Sequence, residues 1–244
     1  MRFDNIDKEL GKISSDNSFY DVIQRAYQAF KQPPTNDHGV CDCCMDPEVQ
    51  KDFFNHGQAG LPMIYLNDWF FAAADTPLNK STWRFILPRV LEVLASGEDP
   101  STTALEISLN RFPTGDPSNW NNEEWMVLDE FQRLFLSTSD LRDDDCLDDI
   151  LCMFAQASWD INDLFTQILD WPTDKLVKKL WKDWCDFKNP NIWITAFWNS
   201  STKAREFYSS EKMQTKVIDF ALADNTPPEL AEKAMAVSNL MQKQ

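Results

Sequence analysis

The chain has little glycine, six residues in 244, and only two histidines. So few glycines argue against a turn-rich β sandwich, whose tight turns draw on positive φ, and favour helices. No run of about 18 apolar residues occurs, so no membrane span is expected. The opening Met1-Arg2-Phe3-Asp4-Asn5-Ile6-Asp7 lacks the apolar core of a secretory signal. A glycine-rich phosphate loop and a Gly-x-Ser-x-Gly elbow are both missing, which leaves little catalytic vocabulary and points away from an enzyme. Basic residues are also short, 23 Lys and Arg against 39 Asp and Glu, for a net charge of −16. That balance disfavours nucleic acid, which is bound mainly through Lys and Arg on phosphates. The same field draws in basic proteins, although many soluble chains are acidic for solubility alone.

What is present is apolar and aromatic: 43% hydrophobic residues, with ten Trp and seventeen Phe. Phe19, Val22, Ile23, Ala26, Tyr27 and Phe30 recur at helical spacing, with Asp16 or Ser18 as the cap and Pro33-Pro34 as the stop. Asp46-Pro47 reads as a helix start, running to about His56 and Gly57. A helix follows from Pro62 to about Ala74, then Ser81 to Leu94 in two pieces meeting at a kink at Pro88. Further helices are expected at Ser101–Arg111, Glu123–Leu136, from Thr173 through Phe187, Ile192–Tyr208, Met213–Leu222 and Glu229–Met241. The pattern predicts an all-α chain, an antiparallel bundle or short α-solenoid of about ten helices, without a clean repeat. Residues 1–244 read as a single domain, and the irregular loop Phe112 to Asn119 is where a subdomain boundary would fall.

The densest charge lies between Asp140 and Asp174, where ten aspartates face one base, Arg142. An apolar stripe runs among them: Leu147, Ile150, Leu151, Phe154, then Ile161, Leu164, Phe165, Ile168, Leu169. With that stripe packed inward, the carboxylates are expected to point outward as a compact acidic patch. Asp143, Asp144, Asp145, Asp148, Asp149, Asp160 and Asp163 are the candidate contact residues for a basic partner, with Trp159 or Trp171 as aromatic anchor. Lys175, Lys178, Lys179 and Lys182 are expected on the outer face of the next helix, paired with aspartates.

Cys41-Asp42-Cys43-Cys44 is the other candidate site. With His38 and, further on, His56, it could supply four zinc ligands, His38, Cys41, Cys43 and Cys44 being the candidate set. Yet zinc knuckles space their cysteines by two to four residues, and adjacent Cys43 and Cys44 tend to point apart. Small buried cysteines or a redox-sensitive thiol are the alternatives. Six Cys without a secretory signal suit reduced thiols in a cytoplasmic protein.

Tyr27-Gln28-Ala29-Phe30, the proline pair, the Cys segment and Trp83-Arg84-Phe85-Ile86-Leu87-Pro88-Arg89-Val90-Leu91-Glu92-Val93-Leu94 together resemble a group of uncharacterised bacterial proteins. These pair a Cys-rich segment with a Phe-Leu-Pro-Arg-hydrophobic-Leu-Glu helix. The resemblance covers about residues 19–95 and implies a bacterial cytosolic helical protein, with no activity attached. The expectation is a binding protein that neutralises a basic protein, most concretely an immunity protein covering a bacterial toxin's cleft. A metal- or redox-responsive protein using Cys41, Cys43 and Cys44 is the alternative.

Overall fold

The computed structural model describes residues 10–35, 37–41, 43–72, 78–142, 145–199 and 201–242. The chain is all-helical, and the described residues contain no β-strand. It divides into two compact units. The first is Met1–Phe135 with Gln156–Ser158, the second Leu136–Ala155 with Trp159–Gln244. The division therefore falls near the end of a helix, and the 112–119 loop lies wholly within the first unit.

The first unit is built around α4, Lys80–Ala95, with α1 (Tyr20–Ala29), α2 (Pro47–Asp52) and α3 (Met63–Phe71) before it and α5 (Asn122–Ser137, of which Leu136 and Ser137 belong to the second unit) after. Asp46 caps α2 as its sequence suggests, accepting from the amides of Glu48 at 2.8 Å and Val49 at 3.4 Å, with Pro47 in the first turn. A short 3₁₀ stretch, Phe53–His56, follows, and then one helical turn, Gly57–Gly60. At the start of α1 neither expected cap is used: the Phe19 amide donates to Asn17 Oδ1 at 2.8 Å.

Apolar side chains cover every side of α4, and all its residues from Phe85 to Ala95 are buried, as befits a central helix. It runs unbroken through Pro88, where two pieces were expected. Proline has no amide to give the carbonyl four residues back. Here the Gln58 side-chain amide reaches the freed Arg84 carbonyl at 3.4 Å, serving it from outside the helix, and also approaches the Phe85 carbonyl at 3.1 Å.

Arg89 is fully buried on the same helix. It pairs with Glu92 at 2.9 Å and donates to the carbonyls of Leu61 (2.9 Å), Leu10 (2.8 Å) and Gly11. Glu92 also accepts from Tyr27 at 2.7 Å and Lys12 at 2.9 Å. The result is a buried polar knot tying the N-terminal segment to α1 and α4.

The expected helix at 101–111 is only a 3₁₀ turn, Leu105–Ile107. Ser101 offers its hydroxyl to the Thr103 amide at 3.2 Å, a local bond that competes with helix formation.

The second unit holds α6 (Leu147–Gln156, of which Gln156 belongs to the first unit), α7 (Ile161–Leu169), α8 (Thr173–Trp184), α9 (Thr202–Tyr208), α10 (Glu211–Leu222) and α11 (Pro228–Met241). Helices α10 and α11 form a hairpin that packs on α8. Their core is Leu176, Val177, Leu180, Trp184, Met213, Val217, Ala234, Val237 and Met241. Ile192–Tyr208 does not form one helix: α9 starts only at Thr202, and 191–199 has no regular structure. Among the described residues no helix is long and apolar enough to cross a membrane.

Candidate functional site

The first turn of α6 shows why 191–199 is not helical. Asp148 is only 2% exposed. Its Oδ2 accepts from the Thr195 amide at 2.7 Å and the Trp198 indole at 2.9 Å. Beside it, Asp149 Oδ1 accepts from the Trp193 indole at 2.9 Å. A carboxylate taken out of water needs such donors, and charged acceptors make the stronger hydrogen bonds. These two aspartates, expected to face a partner, instead hold the chain's own Trp-rich segment. The stripe Leu147, Ile150, Leu151 and Phe154 is buried as expected, but Cys152 and Met153 are buried too. The inward face of α6 is thus wider than the stripe alone, and it takes Asp148 with it.

The fully buried Tyr208 adjoins Asp148. Burial pushes its hydroxyl well above the usual tyrosine range, and the charges of Asp148 and Asp183 push it further. Tyr27 in the first unit is raised likewise, by burial and then by Glu92. A raised folded-state value means the folded chain keeps protons that the unfolded chain releases. Stability is therefore intact below about pH 10 and falls as pH rises beyond it, by about 1.4 kcal/mol per pH unit for each such tyrosine. Denaturant titrations between neutral and strongly alkaline pH should show this slope, and Tyr208→Phe should remove one tyrosine's share.

The remaining candidates divide. Asp143 and Asp144 lie outside the described residues. Asp145 is half-buried and paired with Arg142, while Asp140 pairs with Lys175 at 2.7 Å. Asp160 and Asp163 are exposed, and Asp160 caps α7 through the amides of Asn162 (2.7 Å) and Asp163 (3.3 Å). Lys178 pairs with Asp174 at 3.0 Å. Lys179, expected outside, is buried and pairs with buried Asp183 at 3.0 Å, whose other oxygen accepts from the Leu147 amide at 2.8 Å. Desolvation raises the Asp183 carboxyl against the pull of Lys179. The outward acidic patch is thus reduced: Asp145, Asp148 and Asp149 are engaged internally. The second unit holds eighteen acidic and twelve basic residues, the first twenty-one and eleven, so the larger excess of negative charge lies outside the stretch that looked most acidic.

Neither expected anchor faces outward. Trp159 packs edge-on against Phe154 at 5.2 Å and Trp171 lies under the Lys175 ammonium at 4.3 Å, both rings buried. The exposed aromatics of this unit are Phe187 (61%), Trp193 (49%) and Phe197 (40%), all within or just before the segment held by Asp148 and Asp149. The helix was expected to run through Phe187, but α8 ends at Trp184, before helical spacing can turn Phe187 inward. Asn189-Pro190-Asn191 was the available sign that an irregular segment begins there.

In the first unit, the Sγ atoms of Cys41, Cys43 and Cys44 lie within 4.8 Å of one another. The Cys44 amide donates to the Cys41 carbonyl at 3.0 Å, so one tight turn carries all three. Cys41 is half-buried and the other two are exposed. The Cys41 and Cys43 sulfurs stand 2.6 Å apart, and those of Cys43 and Cys44 3.8 Å. Sharing a proton with Cys43 lowers the Cys41 thiol, while Cys43 is pushed up to about 11 by Cys41 and then Cys44. His38 does not join them. Its Nε2 bonds the Gln50 carbonyl at 2.7 Å, and its ring stacks on Phe54 at 4.8 Å. His56 is likewise taken, by Asp52 at 2.7 Å. Among the described residues, the four-ligand set suggested by the sequence is therefore three sulfurs.

Two surface grooves can also be described. One of about 310 Å³ is lined by Arg25, Gln28, Ala29, Glu123, Met126 and Val127, and one of about 300 Å³ by Asp140, Asp174, Lys175, Lys178, Lys179 and Lys182. No family model, curated protein or solved structure matches this chain, so no residue role comes to it from a relative.

Proposed function

We propose that the chain is a non-catalytic binding protein that captures a basic protein partner, with the segment from Phe187 to Phe197 as its contact surface. The observation that carries this reading is a set of large aromatics left exposed on a segment held from below by the buried Asp148 and the half-buried Asp149. An irregular segment with Phe187, Trp193 and Phe197 outward is costly in water unless something uses it, and Trp is enriched among the residues that dominate binding energy. Asp148 and Asp149 hold the segment in one conformation before any partner arrives, which spares the ordering cost of association. The net charge of −16 supplies attraction for a cationic partner and speeds encounter at low salt. A toxin with a basic cleft is the partner this suits most concretely, the chain then acting as its immunity protein. The aspartates are thus the support of the surface, and the aromatics its contact points.

The test is co-expression with the product of the adjacent reading frame, followed by affinity measurement at low and high salt. Wild type should bind more weakly as salt rises. Trp193→Ala with Phe197→Ala should weaken binding by about thirtyfold or more, the loss expected of a hot spot worth about 2 kcal/mol. Unchanged affinity in that double variant, with helical content intact, would remove this segment from the interface.

A further inference from the structure

We propose that Cys41, Cys43 and Cys44 form a three-sulfur site for a soft cation of low coordination number, copper(I) being the ion whose chemistry fits. The site is independent of the aromatic segment and belongs to the first unit.

Three features support it. The first is convergence: three ligating sulfurs within 4.8 Å, brought together by a turn whose ends are fixed. Val40 and Met45 on either side are buried, and the Asp46 amide just beyond is held by Asp68 Oδ2 at 3.0 Å. Two sulfurs each about 2.3 Å from a common ion stand about 3.8 Å apart at a tetrahedral angle and about 4.0 Å at a trigonal one. The Cys43–Cys44 separation of 3.8 Å already matches. Cys43 must turn away from Cys41, where 2.6 Å is too close, and its exposed side chain has room to do so.

The second feature is what does not converge with them. Structural zinc sites close with four ligands. Here His38 is bound to Gln50 and stacked on Phe54, His56 to Asp52, and Asp46 is occupied capping α2. Asp68 accepts from the Asp46 amide. Among the described residues the ligand set is three sulfurs. Hard cations need oxygen cages, whereas soft thiolates select copper(I). The third is accessibility: two of the three thiols are exposed, so the ion can enter without unfolding the turn. Each thiol that ligates releases its proton to solvent, with no change in oxidation state.

The experiment titrates the reduced full chain with copper(I) without oxygen, against a chromophoric copper(I) chelator, and in parallel with zinc(II) against a zinc chelator. We expect about one copper(I) retained per chain, at least tenfold weaker retention in Cys43→Ser and in Cys44→Ser, and full retention in Cys146→Ser/Cys185→Ser. X-ray absorption on the loaded protein should show sulfur neighbours alone. Circular dichroism checks each variant's fold. Should a Cys variant unfold, alkylation of the wild type decides instead: bound copper(I) should shield Cys41, Cys43 and Cys44. Unchanged retention in Cys41→Ser/Cys43→Ser/Cys44→Ser, nitrogen or oxygen neighbours, zinc(II) held where copper(I) is lost, or full alkylation of the three thiols under copper would each overturn the proposal.

Discussion

Replacing Glu92 with leucine is expected to destabilise the first unit by about 3–5 kcal/mol, the usual loss when one partner of a buried ion pair is removed. Arg89 has no exposed surface and cannot shed its charge, since guanidinium stays protonated in proteins. Its other donors go to the carbonyls of Leu61, Leu10 and Gly11, which are dipoles and leave the charge unbalanced. Lys12 and the Tyr27 hydroxyl lose their acceptor in the same step. Because a domain's whole stability is commonly about 5–15 kcal/mol, the urea midpoint should fall by about a fifth or more. Glu92→Gln keeps an acceptor oxygen and should fall between leucine and wild type. A leucine variant with an unshifted midpoint would mean that Arg89 finds compensation elsewhere, and that the knot is not what ties the N-terminal segment down.

Asp148→Leu should have the second largest effect, in the other unit. It leaves the Thr195 amide and the Trp198 indole facing an apolar side chain, each deprived donor costing about 1–3 kcal/mol, with some relief from no longer burying a charge. The net expected loss is about 2–4 kcal/mol, and its signature is local. Residues 191–198 should become sensitive to protease and exchange their amides faster, while the hairpin of α10 and α11 keeps its protection. Asp148→Asn retains an oxygen of similar shape and should preserve most of the segment's order. If the exposed aromatics contact a partner, Asp148→Leu should also weaken binding without touching a contact residue, because the bound conformation would no longer be prepared in advance. Intact order in the leucine variant would show that the segment is held by packing of Ile192 and its neighbours alone.

The three cysteines are neighbours in the sequence, but Cys43 and Cys44 were expected to point apart, and the turn that brings their sulfurs to 3.8 Å was not legible there. Nor could it be read that His38, only three residues before Cys41, turns its ring toward Gln50 and Phe54 instead. In the acidic region the composition was plain, but Asp148 and Asp149 look alike in sequence, and so do Asp145 and Asp160. Asp145 meets Arg142 three residues before it and Asp160 caps its own helix, whereas Asp148 and Asp149 meet donors that arrive 44 to 50 residues later, from Trp193, Thr195 and Trp198. The aromatic anchors failed for a similar reason. Trp159 and Trp171 flank helices and are buried, whereas Trp193 is left outside by a segment that seemed helical.

Helical class, the start at Asp46-Pro47 and the apolar stripes of α1 and α6 followed from the amino-acid order alone, because caps and helical faces are made by residues within about four positions of each other. The tertiary structure decided that α4 continues through Pro88, by bringing Gln58 to the unserved carbonyl of Arg84. It also decided which carboxylates turn inward. A buried charge survives only where donors from distant parts of the chain meet it, and local spacing carries no record of where those donors come to rest.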